Sequence, residues 1–286
     1  MSEDATSSSG RGSGARRWWV WLLSAAMILI AVAMIFPLIW MVLTAFKTNG
    51  DAASGDPSLF PRQVTLQNFV DIWSAIPFAH LYVNTIIFAG AVMILSLVFD
   101  TMTGYALARY DFKGRNAVFI AVIVLMLVPY PSVLIPLFEE TVKLGIDHTL
   151  VGMIVPRMTN AFGIFFMRQF FLSLPEDLEE AARIDGATEG GIFLRIMLPL
   201  TKPAILTLGL FHFQYNWNDL LWPLVMSTDM SGATLPAGLQ MFTGQHVVQY
   251  GLLMAGSVLA LLPLVIFFLA IQKTFVQGIA TTGMKS

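Results

Sequence analysis

The chain of 286 residues is 56% hydrophobic and 12% charged, with a mean hydropathy of +0.72, whereas soluble domains carry about 25% charged residues. This composition excludes a soluble globular protein and predicts an integral membrane protein. The net charge of −2 gives no indication of a polyanionic partner such as nucleic acid, and the absence of cysteine excludes disulfides, thiolate zinc sites and a cysteine nucleophile.

Six apolar stretches, each of roughly 20 residues, are long enough to cross the hydrocarbon core as helices. They cover residues 18–46, 82–99, 117–138, 150–171, 204–226 and 251–275. Residues 1–15 are rich in Ser and Gly and are predicted, together with Arg16 and Arg17, to form a disordered cytoplasmic tail over residues 1–17. Residues 18–286 are predicted to form one all-α transmembrane domain.

The distribution of basic residues predicts the orientation of the chain. With the N-terminus in the cytoplasm, 12 of the 16 Lys and Arg residues lie on the cytoplasmic side, and Lys47, Arg62, Lys143 and Arg157 lie outside. An excess of Lys and Arg beside cytoplasmic span ends is the positive-inside rule. The sequence therefore predicts a multi-pass protein of the inner or plasma membrane with both termini in the cytoplasm.

The segment between the fourth and fifth spans, residues 173–203, is predicted to form a cytoplasmic helix-turn-helix. Ser173 and Glu176 have the spacing of a capping box, Pro175 suits a first helical turn, and Gly186 suits a helix end. Four residues share one face of the first helix, namely Leu178, Ala181, Ala182 and Asp185. Taken alone, this pattern also fits an amphipathic helix folded back on the bundle or on the lipid surface.

A longer pattern within this segment is more specific. It reads Glu-Ala-Ala, three residues, Gly, nine residues, Ile, one residue and Leu-Pro, and it runs from Glu180 to Pro199. With this spacing the segment resembles the EAA signature of ABC importer permeases. The resemblance is to the maltose-type, carbohydrate-uptake branch of these binding-protein-dependent permeases, and it covers roughly residues 82–286. Residues 129–156, 170–171, 217–224 and 278–285 also carry it.

This resemblance implies the type I ABC importer permease fold, with six transmembrane helices, a core region over about residues 82–275 and a cytoplasmic coupling loop. It further implies four partners, which are a second homologous permease, an ABC ATPase dimer, an extracytoplasmic solute-binding protein and the lipid bilayer. The loop is expected to dock in a groove of the ATPase with Glu180 as its charged anchor. The residues implied in this contact are Glu179, Glu180, Ala181, Ala182, Asp185, Gly186, Ile196, Leu198 and Pro199.

The chain lacks the motif that would bind ATP. A P-loop requires Gly-x-x-x-x-Gly-Lys followed by Ser or Thr, so that backbone N–H groups and the Lys hold the phosphates. The Lys-Ser and Lys-Thr pairs at Lys47, Lys273 and Lys285 do not follow a glycine. We therefore expect a subunit that is not an enzyme and has no cofactor or metal of its own, with ATP and Mg bound by the partner ATPase.

The fifth span contains an unusual polar cluster. A carboxylate such as Asp219 is costly at membrane depth unless it faces a partner or a water-filled cavity. One hypothesis is a substrate pathway, in which amides and the carboxylate bind hydroxyls and aromatic rings stack on a sugar. The alternative is interhelical polar packing, with an aromatic belt and a kink at Pro223. The candidate pathway residues are Tyr215, Asn216, Asn218, Asp219 and Trp222.

Other polar residues of the spans are weaker candidates. Arg157, Arg168 and Asp100 lie near predicted span ends, where pairing or snorkelling is expected, so that Asp219 is the only acidic residue predicted deep within a span. The histidines lack the spacing and the carboxylate neighbours of a metal site. The sequence has no internal repeat, which disfavours an ion-coupled secondary transporter, and no nucleophile–base pair, which disfavours an intramembrane enzyme.

The resemblance implies a di- or oligosaccharide as the transported solute, with glycerol-3-phosphate or a glycerophosphodiester as the alternative. A phosphate is held by charge-assisted hydrogen bonds from basic groups. In the membrane half of the chain, Arg157 is the one basic residue placed for that role. The sequence therefore favours a neutral sugar.

Overall fold

The computed structural model describes residues 13–54, 58–243 and 248–283, and within these ranges the regular structure is helical. Three helices are long and apolar enough to cross a membrane, and three bent helix pairs bring the total to six if each pair forms one span. The all-α membrane fold predicted from the sequence is confirmed. The helices are α1 (Ser13–Ala45), α2 (Asn49–Ala52), α3 (Gln67–Ala75), α4 (Phe78–Arg109), α5 (Arg115–Leu127), α6 (Tyr130–Lys143), α7 (Leu150–Ile154), α8 (Ala161–Leu172), α9 (Asp177–Ile184), α10 (Glu189–Ile192), α11 (Leu198–Leu200), α12 (Lys202–Trp217), α13 (Leu221–Met226), α14 (Leu235–Leu239) and α15 (Tyr250–Gly283). Short 3₁₀ turns cover Val155–Arg157 and Gln240–Thr243, and a π-helical turn covers Phe193–Met197.

The three long helices are α1, α4 and α15, with 33, 32 and 34 residues. At 1.5 Å per residue each is about 50 Å long, which exceeds the hydrocarbon core of about 30 Å. α1 packs along α15, but its apolar stretch is 0% buried within the chain, so lipid or another subunit must cover it. Of the predicted tail over residues 1–17, residues 1–12 lie outside the described residues, and α1 already begins at Ser13.

Three of the predicted spans are broken instead of continuous. Residues 117–138 form α5 and α6, whose axes differ by 107°. The break lies at Val128, which is extended (ψ 119°) because the ring of the following Pro129 disfavours helical geometry. Residues 150–171 form α7, a 3₁₀ turn and α8, with a bend of 41°. Residues 204–226 are interrupted between α12 and α13.

α4 lies at the centre of the bundle. It packs against α8 and α12 and, near its N-terminal end, against α14. Gly104 permits a close approach to α8, because a Cβ there would lie 2.8 Å from Met167 Cβ and 2.9 Å from the Arg168 backbone nitrogen. Lipid tails are as apolar as Leu, so helices in a membrane associate through such close packing and through hydrogen bonds. α4 therefore carries the contacts that position the polar sites described below.

Candidate functional site

The segment after α8 folds as two short helices around a turn. Between them, Gly186 adopts the left-handed region with φ +82°. The Gly186 N–H donates to the Arg183 carbonyl (3.1 Å) and the Ala187 N–H donates to the Ala182 carbonyl (2.9 Å). This pair of bonds is a Schellman motif, which favours glycine because a Cβ is strained at positive φ. The turn therefore has a local cause in the sequence.

The predicted capping box at the start of α9 is wrong. The Ser173 hydroxyl donates back to the Phe170 carbonyl (2.7 Å), and Glu176, at the N-cap position, makes no side-chain cap bond. Pro175 precedes the helix and does not lie in its first turn. The Glu176 carboxylate instead accepts a hydrogen bond from Arg109 Nη1 at 3.2 Å. The Glu176 side chain therefore pairs with a residue distant in sequence, and the first turn of α9 has no side-chain cap.

α9 has one face against the bundle and one open face. Glu179 and Ala182 are buried, at 3% and 8% exposure, and Ile184 on the opposite side is 86% exposed. The face predicted from the sequence is only partly right, because Ala182 turns inward with Glu179. The open face of α9 carries Leu178, Glu180, Ala181, Ile184 and Asp185.

The second half of the segment packs more deeply. Ile192 and Met197 are fully buried in a cluster with aromatic and methionine side chains of α4 and α8. Among the residues predicted to contact the ATPase, Ile196 and Leu198 are half-buried and Pro199 is exposed. After α11 the chain bends by 75° into α12. The segment therefore joins the fourth and fifth spans through a buried anchor and a sharp corner.

An ion pair closes α9 on α10. Arg183 Nε donates to Glu189 Oε1 at 2.7 Å, and the Tyr110 hydroxyl lies 3.4 Å from Glu189 Oε2. The hydrogen bond from Arg183 holds the pKa of the Glu189 carboxyl below its ordinary value. Both side chains are nearly half-exposed, so the pair adds little stability, but it keeps the two short helices together.

Arg109 anchors this segment and carries no sequence signal beyond its charge. It is the last residue of α4, and its side chain is only 3% exposed. Its Nε lies 2.9 Å from Glu179 Oε1, and its Nη2 donates to the carbonyls of Phe171 and Leu174, both at 2.8 Å. The Phe171 carbonyl is 62 residues away along the chain, so no local pattern could have marked the contact.

Near the middle of α4, an ion pair joins the breaks of two spans. Arg157 Nη2 lies 2.7 Å from Asp219 Oδ2, and the two side chains are 7% and 11% exposed. Arg157 Nη1 donates to Asn216 Oδ1 (3.0 Å), and the guanidinium lies 4.5 Å from the centroid of the Tyr130 ring. The Ser96 hydroxyl of α4 donates to the Arg157 carbonyl (3.1 Å), which sets the depth of the pair. Of the two expectations for Arg157, pairing is the one that the structure shows.

The five candidate pathway residues do not share one environment. Asn216 and Asp219 belong to the ion-pair cluster, the ring centroid of the exposed Tyr215 lies 5.6 Å from the Arg157 guanidinium, and Asn218 is exposed. Trp222 is fully buried, and its indole N–H donates to a carbonyl of α7 at 3.0 Å. This burial corrects the assignment of Trp222 as a stacking platform, because its ring is already used in packing. The pathway role of the other four residues stays a prediction.

A second buried carboxylate, Asp100, lies on α4 and is paired with His212. α4 continues past the predicted span end at residue 99, so Asp100 lies nine residues, about 14 Å, before the end of the helix. Its Oδ2 lies 3.0 Å from His212 Nε2, and its Oδ1 accepts from the Thr159 hydroxyl (2.7 Å) and the Asn160 N–H (2.9 Å). A Cβ at Gly163 would collide with this carboxylate, so α8 approaches through a glycine.

Neither buried pair has the composition of a metal site. In the described ranges, no three His, Asp or Glu side chains are grouped so that they could hold a metal ion. Each pair instead combines one carboxylate with one nitrogen side chain and with backbone groups of a broken span. Such an arrangement fixes the relative positions of helices.

Residues 100–281 match the family model described as binding-protein-dependent transport system inner membrane component. The protein belongs to this family. Among relatives of this permease, the arabinooligosaccharides transport system permease protein AraQ of Halalkalibacterium halodurans is 37% identical over 271 residues, which cover 93% of this chain and 96% of the relative. The sn-glycerol-3-phosphate transport system permease protein UgpE of Escherichia coli is 30% identical over 272 residues, covering 92% and 97%.

Two solved structures share the fold of this permease. A chain of a bacterial ABC transporter involved in import of the acidic polysaccharide alginate gives a TM-score of 0.80 at 23% identity, covering 93% of this chain and 100% of that chain. A chain of an alginate ABC transporter in complex with its pentasaccharide-bound periplasmic protein gives 0.66 at 16% identity, covering 91% and 96%. The ABC importer permease fold implied by the sequence resemblance is therefore confirmed.

Proposed function

We propose that this permease is one transmembrane subunit of an ATP-driven importer that moves a neutral oligosaccharide into the cell. A second homologous permease completes the pathway, an ABC ATPase dimer supplies the energy, and an extracytoplasmic binding protein delivers the solute. The relative named for arabinooligosaccharide transport supports the solute class. The structure of the alginate transporter in complex with its periplasmic protein supports delivery of the solute by a binding protein.

The exposure of one face of α9 carries the coupling part of this proposal. The helix is tied to the bundle by Glu179, while Leu178 and Ile184 are 41% and 86% exposed. Apolar side chains that cluster on an exposed surface mark a site for a partner. The small Ala181 lets a groove approach closely, and Glu180 adds a charge beside it. The permease thus presents a preformed helix to the ATPase.

The charge of the central cluster favours a neutral solute. Arg157, the basic residue that the sequence makes available for a phosphate, is paired with Asp219 at 2.7 Å. Removing one partner of a buried ion pair costs about 3–5 kcal/mol, because the other charge is left uncompensated. A phosphate would therefore have to displace Asp219, whereas sugar hydroxyls can bond to the exposed Tyr215 and Asn218. Glycerol-3-phosphate stays the alternative because of the similarity to UgpE.

Both termini are proposed to lie in the cytoplasm, which places α9 on the ATPase side. The natural sequence has no cysteine, so single cysteines can be introduced at exposed positions. Thr228→Cys lies between α13 and α14, and Lys113→Cys lies between α4 and α5. An impermeant thiol reagent added to intact cells should label the Thr228→Cys protein only. If only the Lys113→Cys protein is labelled, the chain has the opposite orientation in the membrane.

Reconstitution in proteoliposomes with the ATPase, the second permease and the binding protein tests the function. Glu180→Lys reverses a charge on the open face of α9 and leaves the buried face intact. Because a lost central contact costs about 2 kcal/mol or more, copurified ATPase and uptake should fall by about tenfold or more. Glu139→Lys, the same change on an exposed position of α6, is the matched control and should behave as wild type.

The same preparation tests the solute. Uptake of a labelled neutral oligosaccharide and of glycerol-3-phosphate is compared with the cognate binding protein present. If glycerol-3-phosphate is taken up and the oligosaccharide is not, the permease belongs to a glycerol-3-phosphate importer. Wild-type ATPase copurification and uptake in Glu180→Lys reject α9 as the docking element, and uptake without any ATPase rejects the importer class.

A further inference from the structure

The C-terminal end of α4 is bound to two other elements through one side chain. Arg109 places Nη1 3.2 Å from Glu176 Oε1 and Nε 2.9 Å from Glu179 Oε1, so two carboxylates of the α9 segment face one guanidinium. Its Nη2 donates to the carbonyls of Phe171 and Leu174, both at 2.8 Å, which cover the end of α8 and the linker to α9. We call this set of contacts the Arg109 clamp.

The centre of the clamp is buried, whereas its outer carboxylate, Glu176, is 75% exposed. The side chains of Arg109 and Glu179 are 3% and 4% exposed. The second oxygen of Glu179 lies 3.4 Å from Arg183 Nη2 and 3.5 Å from the Tyr105 hydroxyl. The contact between Arg109 Nε and Glu179 is an ion pair without hydrogen-bond geometry, whereas Nη1 and Nη2 make charge-assisted hydrogen bonds, which are about twice as strong as neutral ones.

Apolar packing alone would allow α9 to slide. The neighbouring cluster places Ala182 beside Tyr105 and Phe171, and such contacts are not directional. The Arg109 clamp adds direction, because α9 cannot shift along α4 or α8 without losing bonds to a buried charge. A force applied to the open face of α9 is therefore delivered to the ends of α4 and α8 together.

We propose that Arg109 is the positioning residue that transmits movement of α9 to the transmembrane helices, and that Glu179 is its obligatory partner. This inference rests on the proposed docking of the ATPase to the open face of α9. It assigns distinct roles to neighbouring acidic residues. Glu180 contacts the ATPase, whereas Glu179 faces inward and links α9 to α4.

The test is the number of solute molecules transported per ATP hydrolysed by the reconstituted complex. Arg109→Gln removes the charge and leaves at most part of the bonding to the two carbonyls. Assembled Arg109→Gln complexes should bind the ATPase, and transport per ATP should fall by about tenfold or more, because Glu179 keeps only its longer contact to Arg183 and α9 loses its charged link to α4. Arg109→Lys keeps the charge but cannot reach all four acceptors at once, so its loss should be intermediate.

Arg115→Gln is the matched control, because it removes the same charge a few residues away. Arg115 is 31% exposed and its ion pair is with Asp111, which is 96% exposed. Its transport per ATP should equal that of wild type. Glu179→Gln tests the clamp from the other side and should reproduce the loss seen for Arg109→Gln, whereas a purely structural role would lower complex abundance and leave the ratio unchanged.

A wild-type ratio of transport to hydrolysis in assembled Arg109→Gln or Glu179→Gln complexes overturns the inference. If Arg109→Gln does not assemble, Arg109→Lys and Glu179→Gln decide by the same ratio. Failure of the docking proposal gives a different result, since Glu180→Lys would then keep its ATPase and its uptake. A defect in Glu180→Lys with normal coupling in the Arg109 and Glu179 variants would reject the Arg109 clamp alone.

Discussion

The polar contacts within the spans and those at the end of α4 differ in how much of the residues involved stays exposed. In the Arg157–Asp219 and Asp100–His212 pairs, each partner lies on a broken span or on α4, and no side chain of the four exceeds 11% exposure. In the Arg109 clamp the central residues are equally buried, but Glu176 is 75% exposed and α9 keeps an open face. The first kind of contact joins span to span, and the second joins a span to an element outside the bundle.

The difference follows from whether water is present, because water can hydrogen-bond to exposed polar groups and the hydrocarbon layer cannot. Within the hydrocarbon layer, non-helical backbone is tolerated only where its polar groups find partners. Both buried carboxylates serve this purpose, because Asp100 accepts from the Asn160 N–H before α8 and Asp219 accepts from the Leu221 N–H at the start of α13. The buried charges at the breaks hold the ends of the broken helices, whereas the charges at the end of α4 hold α9 against the bundle and leave its other face exposed.

The largest effect is expected when one partner of the central ion pair is removed. Asp219→Asn leaves Arg157 buried without a counter-charge, which costs about 3 kcal/mol or more. The thermal stability and the amount of assembled complex should fall, and the double variant Arg157→Gln/Asp219→Asn should recover part of the loss. A pathway role predicts instead that uptake per assembled complex falls far more than assembly does. If the double variant is no more stable than Asp219→Asn, the two charges do not stabilise the fold as a pair.

A methyl group added at Gly163 should have the next largest effect. In Gly163→Ala the new Cβ overlaps the Asp100 carboxylate and lies 3.0 Å from His212 Nε2, so α8 must move away from α4. Overpacking of this kind costs about 1–3 kcal/mol. The readout is the melting temperature of the complex in nanodiscs. Gly90→Ala, on the neighbouring helix α4 and with no atom within 4 Å of an added Cβ, is the control and should not shift the melting temperature.

Trp222→Phe separates packing from sugar stacking. The variant keeps an aromatic ring but loses the hydrogen bond to the α7 carbonyl, which should lower stability by about 1 kcal/mol. Since the ring is buried, uptake per assembled complex should follow the wild-type curve across a substrate titration. A higher half-saturation concentration with normal assembly would restore Trp222 to the list of substrate contacts.

The smallest effect concerns the exposed pair that closes α9 on α10. The Arg183 hydrogen bond lowers the pKa of Glu189 in the folded state below its ordinary value of 4.5. The stabilisation is therefore present above pH 4.5 and is lost as the pH falls through the lowered folded value. Glu189→Gln should leave transport at neutral pH unchanged and should flatten the acid side of a plot of melting temperature against pH. An unchanged acid limb would show that the pair contributes nothing.

Local patterns account for the elements that were predicted correctly. Hydropathy located the apolar stretches, because crossing the bilayer requires about 20 apolar residues in succession. Gly186 marked a turn for a reason confined to its own backbone. The break after Val128 also has a local cause in Pro129, but the size of the bend, 107°, depends on what α6 packs against.

The residues misjudged from the sequence are those whose partners are distant. Asp100 looked like a span-end residue because the hydropathy pattern stops at residue 99, while the helix continues to Arg109. The capping box at Ser173 was wrong because α9 begins only at Asp177; the Ser173 hydroxyl donates to the Phe170 carbonyl, and Glu176 pairs with Arg109, 67 residues away. For Trp222 the sequence left packing and a pathway role open, because periodicity cannot tell a buried ring from one that lines a pathway.

By itself, the sequence determined the membrane class, the approximate spans, the helix-turn-helix between the fourth and fifth spans and the family, because each of these depends on composition or on spacing within a few tens of residues. Only the tertiary structure decided which charges neutralise one another. His212 meets Asp100 across 112 residues of chain, Arg157 pairs with Asp219 in the interruption between α12 and α13, and Arg109 pairs with Glu179 of α9. Pairing of this kind is set by how broken spans pack, because a buried charge is stable only where the fold brings a partner to it.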